Sequence, residues 1–362
     1  MMGAIKEKVL KIFHSMPNMS KMGFLTSFFK TSEEDFTDAE LVNIDIVRSG
    51  EQVAPVLTDV GTGAVVVSDD IFTGKTVRPP IYSIARPANI WDLMNRQPGE
   101  TEYEAIGNWF GRLVAVLKRA FELMFGMIKR SIELQASQVL QTGKLDITNA
   151  DGKVAYTLDF QMKSTHKKTV STKWDQKTAT PLKDLEAMCD AIRDDGLVDA
   201  SIAIFGKDAW NAFIANAEVQ AAFSKEGIGL GNIAPQIMNK GGKFMGFVNL
   251  GAYRVDLFVY NGRYETFNGA SKASFVDPKN VIVLADPEDL DFRLVYGGVP
   301  SLPMAEPFES ALPSEVIYDG NVRFNNRVFK DEKANTYTAE TTARPICIPT
   351  SIDRFGCLTV LA

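Results

Sequence analysis

Catalysis would have to be assembled here from little material: the chain has two histidines, His14 and His166, and three cysteines, Cys189, Cys347 and Cys357. A Ser-His-Asp or Cys-His mechanism needs a histidine beside a nucleophile and a third group to orient it. His14 falls in an N-terminal arm and His166 in the basic turn STHKK, neither within a recognisable partner motif. The cysteines are odd in number and lack CxxC or metal-ligand spacing, which reads as reduced, buried thiols of a cytosolic protein. Thr73-Gly74-Lys75-Thr76 looks like the end of a phosphate-binding P-loop. That motif requires a glycine five places before Gly74, and Asp69 stands there instead. Gly227, Gly229 and Gly231 form a GxGxG without a strand-turn-helix context and read as part of a mobile glycine-rich loop over 227–246. The carboxylates of ADPEDLDF (Asp286, Glu288, Asp289, Asp291) could hold a cation or act as an acid/base pair. In a proline-containing turn between strands they read better as a solvated face. The basic stretch Lys163, His166, Lys167, Lys168 and Lys173 has phosphate contact and an intersubunit salt-bridge patch as its two readings. No nucleophile, metal site or cofactor site survives this comparison, so the expectation is a protein that is not an enzyme, with no cofactor and no metal.

The elements that would carry any site are those of a structural protein. The longest runs from Thr101 to about Thr142, after the break at Pro98–Gly99 and before Gly143. Thr101 with Glu104 makes a capping box, and apolar residues recur at steps of three and four from Ile106 through Phe110, Leu113, Leu117, Phe121, Met124, Ile128 and Ile132. Trp109, Val114, Phe125 and Val139 widen the stripe. About forty residues at about 1.5 Å each give a rod of roughly 60 Å, several times the mean helix length. Gly107, Gly111 and Gly126 each cost about 1 kcal/mol in a helix interior, which predicts a close neighbouring backbone.

Before the rod, residues 1–45 form an arm with helical spacing at Ile5, Val9 and Ile12, read as a partner-binding or self-packing segment in preference to a membrane-surface helix. Residues 46–86 alternate short apolar pieces, Val56–Leu57, Ala64–Val67 and Ile81–Ile84, with turn residues. So small a β-rich stretch is marginal alone and needs something outside it. After the rod come a hairpin turning at Asp151–Gly152, a helix from Thr180–Pro181 with Leu182, Leu185, Met188, Cys189 and Ile192 on one side, a buried strand Ser201–Phe205, and a helix KDAWNAFIANAEVQAAF anchored by Trp210, Phe213 and Ile214. A second hairpin is expected at Asn261–Gly262, then strands Val281–Ala285 and Phe292–Tyr296, then a tail of strand and turn. The absence of a βαβαβ rhythm argues for an α+β fold. At 362 residues there is ample chain for a core. The net charge of -6 gives no reason of composition to expect nucleic-acid or anionic-membrane binding. No apolar run reaches a membrane span, and Lys6, Lys8 and Lys11 break any signal-peptide layout.

Four pieces in order, SIELQASQVLQTGKLDI, IAIFGKDAWNAFIANAEVQAAF, DLFVYNGRYETFN with VDPKNVIVLADP, and the closing IPTSIDRFGCLTVLA, resemble the major capsid proteins of lambda-like tailed phages, the capsid protein E family. The resemblance covers residue 40 or so to the C-terminus. It implies the Hong Kong 97 capsid fold: an N-terminal arm (1–45), an extended loop (46–86) lying over a neighbour, a peripheral domain (87–180) with its spine helix (101–142), an axial domain (181–300), and a return to the peripheral domain (301–362). Implied with it are intersubunit contacts from Val65, Val66, Val67 and Lys75, and a spine core of Trp109, Phe110, Leu113, Leu117, Phe121, Phe125 and Ile128. Lys75 is placed where some relatives form a crosslink, although the lambda-like branch usually manages without one. The implied partners are further copies in pentamers and hexamers of an icosahedral shell, a separate scaffolding protein, a portal, packaged double-stranded DNA held by non-specific contact, and no membrane. A decoration protein is compatible with it. The implied location is the virion capsid, assembled in the host cytoplasm. The alternatives are an encapsulin-like nanocompartment shell and a hydrolase using the acidic turn at 286–291.

Overall fold

The computed structural model describes residues 23–37, 39–48, 71–89, 109–149, 151–225, 237–238, 241–266, 271–299, 317–320, 324–331 and 336–362. Two 3-10 turns, Thr26–Phe28 and Glu33–Asp35, open it. Strands β1 (Val42–Arg48) and β2 (Ile71–Val77) pair antiparallel, from Val42 opposite Val77 to Arg48 opposite Ile71. Strand β3 (Tyr82–Asn89) precedes the long helix α1 (Trp109–Thr142). The hairpin β4 (Lys144–Thr148) and β5 (Val154–Asp159) and the strand β6 (Lys167–Thr169) lead to α2 (Pro181–Gly196) and β7 (Ala200–Phe205). Helices α3 (Lys207–Ala215) and α4 (Ala217–Lys225) follow. The remainder is strand: β8 (Ile237–Met238), β9 (Gly242–Leu250), β10 (Tyr253–Tyr260), β11 (Arg263–Glu265), β12 (Lys272–Ser274), β13 (Asn280–Ala285) and β14 (Phe292–Tyr296). The last five are β15 (Ile317–Gly320), β16 (Asn325–Asp331), β17 (Thr336–Ala343), β18 (Pro345–Pro349) and β19 (Phe355–Thr359).

The sheets are mixed, as an α+β chain requires. The largest has seven strands in the order β6-β19-β13-β7-β10-β9-β8, parallel at β6–β19 and β7–β10 and antiparallel elsewhere. Its central strands read as unbroken apolar runs because both faces are buried. Along β7, Ile202 and Ile204 enter one core with the C-terminal half of α1, while Ala203 and Phe205 enter a second core with α2 and α3. Strand β13 alternates likewise: Ile282 and Leu284 to the first core, Val281 and Val283 to the second.

Helix α1 joins this sheet to another. Leu113, Leu117, Phe121 and Met124 pack against Val328 and Ala339 of the four-stranded sheet β15-β16-β17-β3. Further along, Ile128, Ile132, Ala136 and Val139 belong to the core shared with the seven-stranded sheet. Phe125 is half-buried between them, edge-on to Phe324 at 5.0 Å. The helix stops at Gly143, whose φ of +64° and N–H bond to the Val139 carbonyl (2.8 Å) make a left-handed cap. A side chain there would also collide with Met162.

Several expectations from the sequence need correction. Asn261–Gly262 does not turn a hairpin, because both edges of β10 are taken by β7 and β9, and β11 pairs with β12 instead. Residues 242–246, expected in a mobile loop, are the start of β9. Gly242 is needed because Phe24 packs where its Cβ would stand, and Gly246 (φ +134°) sits at a register shift opposite Leu257. The helix expected over KDAWNAFIANAEVQAAF is split at Asn216, which is extended (ψ 135°). Its side chain donates to the Ala179 carbonyl (3.1 Å) and accepts from the Glu218 N–H (2.9 Å), capping α4. Ile214, expected as an anchor, is 37% exposed. Among the described residues Gly126 has no close backbone neighbour: a Cβ there would meet only the Arg130 guanidinium, Nη1 at 3.5 Å. Residues 1–22, 101–108 and 226–236, and with them the proposed start of the rod, the amphipathic arm and the GxGxG, lie outside the described residues.

Candidate functional site

The candidate site among the described residues is the set of contacts that fixes the long helix α1 and the base of the β1–β2 hairpin. The last turns of α1 carry polar side chains at four-residue spacing, Glu133, Ser137 and Gln141, together with Gln135, and all four are buried. Buried polar groups must find partners, and each of these holds a different part of the chain. Glu133 accepts from the Leu25 N–H (2.9 Å), the Thr26 N–H (2.9 Å), the Thr26 hydroxyl (2.5 Å) and the Tyr260 hydroxyl (2.8 Å). Gln135 donates to the Tyr82 hydroxyl (2.8 Å) and accepts from the Cys347 N–H (3.1 Å). Gln141 donates to the Phe275 carbonyl (3.0 Å) and accepts from the Asp277 N–H (2.9 Å), and the Ser137 hydroxyl also donates to Phe275. Burial, with Glu133 alongside, pushes the Tyr260 hydroxyl well above its ordinary range. The sequence signal is the presence of polar residues on the otherwise apolar face of SIELQASQVLQT, which by itself reads only as part of a helix.

Through Glu133, residues 24–29 are fixed to the helix. The segment then lays its backbone beside β14, with Lys30 N–H donating to the Phe292 carbonyl (2.9 Å) and Thr37 N–H to that of Tyr296 (3.1 Å). This part of the arm packs on its own chain. At the hairpin, Val42 and Val77 are buried in the main core. The buried Arg344 donates through Nη2 to the carbonyls of Glu40 (2.9 Å) and Pro79 (3.3 Å), and through Nη1 to that of Gly298. Arg78 pairs with Glu40 at 2.6 Å, but both side chains are exposed and such a pair contributes little. The Tyr156 hydroxyl donates to the Arg78 carbonyl (2.6 Å), which ties β5 to the connection leading into β3. Leu41, Ile81, Val154 and Tyr156 leave apolar surface exposed in this part of the sequence.

The site residues expected from the resemblance fall as follows. Lys75 lies in β2 with Ile44 as its backbone partner. Val65, Val66 and Val67 lie outside the described residues, as do the side chains of Trp109 and Phe110. Leu113, Leu117, Phe121 and Ile128 are buried and Phe125 is half-buried.

The candidate chemistry resolves into structure. His166, expected in a basic turn without a partner, is fully buried. Its Nδ1 lies 2.8 Å from the Phe355 carbonyl and its Nε2 3.0 Å from Asp195 Oδ2. Both ring nitrogens are occupied, so no nitrogen is left to act on a nucleophile. Burial alone would raise the Asp195 carboxyl, yet hydrogen bonds from Lys163 (2.6 Å) and His166 hold it below its ordinary value. Lys163 also approaches Asp353 at 3.6 Å, so the cluster ties the segment before β6 to α2 and to the turn before β19 within one chain. All three cysteines are free and buried. Burial pushes the Cys189 and Cys357 thiols up to about 12 and raises Cys347 as well, away from the thiolate a nucleophile needs. In the acidic turn, Asp286 accepts from the Glu288 N–H (3.0 Å) and Asp291 lies 3.4 Å from the Arg293 guanidinium, with these carboxylates exposed. Among the described residues, no group of three His, Cys, Asp or Glu side chains could hold a metal ion, and no helix is long and apolar enough to cross a membrane.

Comparison with solved structures places this architecture. A protein assigned as the capsid protein of a prophage of E. coli CFT073 superposes with a TM-score of 0.63 at 16% identity, over 98% of each chain. A structure from Gordonia phage Cozz gives a TM-score of 0.47 at 10% identity, over 96% of this chain and 89% of that one. The SrpI encapsulin of Synechococcus elongatus PCC 7942 gives 0.44 at 9% identity, over 96% and 91%. A comparison with curated proteins finds no match. The spine helix joining a mixed sheet to an antiparallel one, with a hairpin beside it, is the Hong Kong 97-type phage capsid fold. The chain belongs to the family Phage major capsid protein E, whose profile matches residues 8–355, and its role is that of a phage major capsid protein.

Proposed function

We propose that copies of this chain assemble as pentamers and hexamers into the icosahedral shell of a tailed phage around its double-stranded DNA, acting without catalysis. Residues 46–86 serve as the extended loop over a neighbour, 87–180 and 301–362 as the peripheral domain, and 181–300 as the axial domain. A separate scaffolding protein and a portal complete assembly in the host cytoplasm, and a decoration protein is compatible with the outer surface.

The observation that carries this reading is the isolation of β1–β2. The two strands pair with each other and, among the described residues, with no third strand. A two-stranded sheet is marginal in water, and its outer edges present unpaired backbone groups. A neighbouring copy supplies what the hairpin lacks, and closed rings of copies satisfy each hairpin in turn. Limited proteolysis of unassembled subunits and of shells tests this: cleavage within 46–86 is expected to be fast in the subunits and strongly suppressed in shells. Equal cleavage in both would refute the assignment.

A further inference from the structure

The cluster around His166 can satisfy its hydrogen bonds in one protonation state only. The Phe355 carbonyl, 2.8 Å from Nδ1, has no proton to give. Asp195 Oδ2, 3.0 Å from Nε2, belongs to a carboxylate that also accepts from Lys163 (2.6 Å), and it has none either. Both contacts are hydrogen bonds only when each ring nitrogen carries a proton. A neutral imidazole offers one donor and one acceptor, so it would set a lone pair against an oxygen at one of the two contacts. The packing leaves little room for the ring to turn away. A Cβ at Gly196 would collide with the Asp353 carbonyl, and one at Gly356 with Met188 and the His166 carbonyl.

The charges agree with the hydrogen bonds. Lys163 and a doubly protonated His166 balance Asp195 and Asp353, whose Oδ2 lies 3.6 Å from Lys163. A neutral ring would leave the cluster with one negative charge in excess. Other charged groups on the packed elements point elsewhere. Arg354 donates to the Asp289 carbonyl (2.6 Å), Arg193 pairs with Asp199, and Asp194, Lys167 and Lys168 are exposed. On β19 the buried Cys357 thiol, pushed up to about 12, stays neutral. Through Asp195, both cations of the cluster sit at the C-terminal end of α2, where the helix dipole favours positive charge.

The ring is also well placed to hold something. His166 is where the chain enters β6, three exposed residues at the edge of the seven-stranded sheet that pair with β19 alone. The His166 carbonyl accepts the Cys357 N–H (2.7 Å), which begins that pairing. So short a strand has little of its own to keep it docked. The side chain of its first neighbour ties it to α2 and to the turn before β19.

We propose that this cluster is a pH-dependent clasp for the edge strand β6, closed while His166 carries both ring protons and Asp195 carries none. Its two limits have opposite sense. Burial pushes the Asp195 carboxyl up, but Lys163 and His166 hold it below its ordinary value, so its contribution is present above the ordinary carboxyl range and lost as pH falls through the lowered one. The imidazolium contributes at lower pH, and its contribution is lost as the ring gives up a proton at higher pH. The Asp195 side chain is 28% exposed, which gives that proton a route to water. The clasp lies within one chain and does not depend on assembly.

Nuclear magnetic resonance of the unassembled full-length chain with isotope-labelled histidine reads the ring directly. The chain has two histidines, so His14→Gln leaves the His166 ring as the only signal. At the pH where that ring is half protonated in the urea-unfolded chain, both nitrogens are expected to carry protons in the folded one. A neutral tautomer there overturns the proposal. Hydrogen exchange, corrected for intrinsic rates, then reads the strand. From about pH 6 to about pH 9, across and beyond the ordinary histidine range, protection at the Cys357 and Val170 amides should fall about tenfold or more. Protection at Ala203, in the centre of the sheet, should hold. Asp195→Asn keeps the shape without the charge and should move the loss to lower pH, while His166→Gln should abolish its pH dependence. Constant protection in the wild type, an unmoved loss in Asp195→Asn, or the same loss in His166→Gln overturns the proposal.

Discussion

Glu133→Ala is expected to lower the unfolding free energy by about 3–5 kcal/mol. The substitution removes one carboxyl group and strands four donors: the N–H groups of Leu25 and Thr26, the Thr26 hydroxyl and the Tyr260 hydroxyl. Each buried donor left without an acceptor costs about 1–3 kcal/mol, reduced here by whatever water enters the space. Glu133→Gln should recover only part of the loss, because its amide nitrogen would face donors where an oxygen now accepts. Tyr260→Phe, which removes one donor along with its need, should cost about 1 kcal/mol. Beyond overall stability, Glu133→Ala should release residues 24–29 from the helix, seen as loss of hydrogen-exchange protection at Leu25 and Thr26. A cost under about 1 kcal/mol with protection retained at those amides would show that the carboxyl group is not what holds the segment.

A loss of similar size is expected from Phe205→Ala in the other core. Phe205 is fully buried and packs among Trp174 (ring centroids 6.3 Å apart), Trp210 (5.3 Å) and Phe213 (5.0 Å). It is the point where β7 meets α3. Removing so large a side chain from a packed core costs about 3–5 kcal/mol, part of it from the cavity left behind. Ile214→Ala, on the same helix but at the surface, should change stability by less than about 0.5 kcal/mol. Chemical denaturation of the two variants side by side checks the contrast. Equal effects would mean that α3 packs through a different face.

How much of this can be read from residues alone depends on the range of the interaction. Gly143 ends α1 by local backbone geometry, and the 3.6-residue stripe from Leu113 to Ile132 marks the buried face without reference to the rest of the chain. The continuous apolar runs at 201–205 and 281–285 mark strands buried on both faces. Long-range pairing is not legible. Asn261–Gly262 carries a strong turn signal, but a hairpin there would need an edge of β10 that β7 and β9 already occupy. Gly242 and Gly246 suggest a loop, although one is a close approach of Phe24 and the other a shift in register. His166 looks exposed among lysines because nothing nearby in sequence announces Asp195 or the Phe355 carbonyl. The polar residues at 133, 135, 137 and 141 are visible, but their partners lie more than fifty residues away in every case but Gln141's own bonds to Ser137.

These distant contacts share a purpose. Glu133, Gln135 and Gln141 fix a rigid helix to the N-terminal segment, to β3 and β18, and to the turn before β13, while the hairpin at β1–β2 is anchored only at its base among the described residues. A helix fixed at several points, beside a strand pair that meets no third strand among the described residues, suits a subunit whose final contacts come from other copies.

Negative-stain electron microscopy of the full-length chain, expressed with the proposed scaffolding protein, tests that most directly. Closed shells of uniform diameter with icosahedral symmetry are predicted. A population of stable monomers under the same conditions, above all monomers with hydrolytic turnover, would contradict the account.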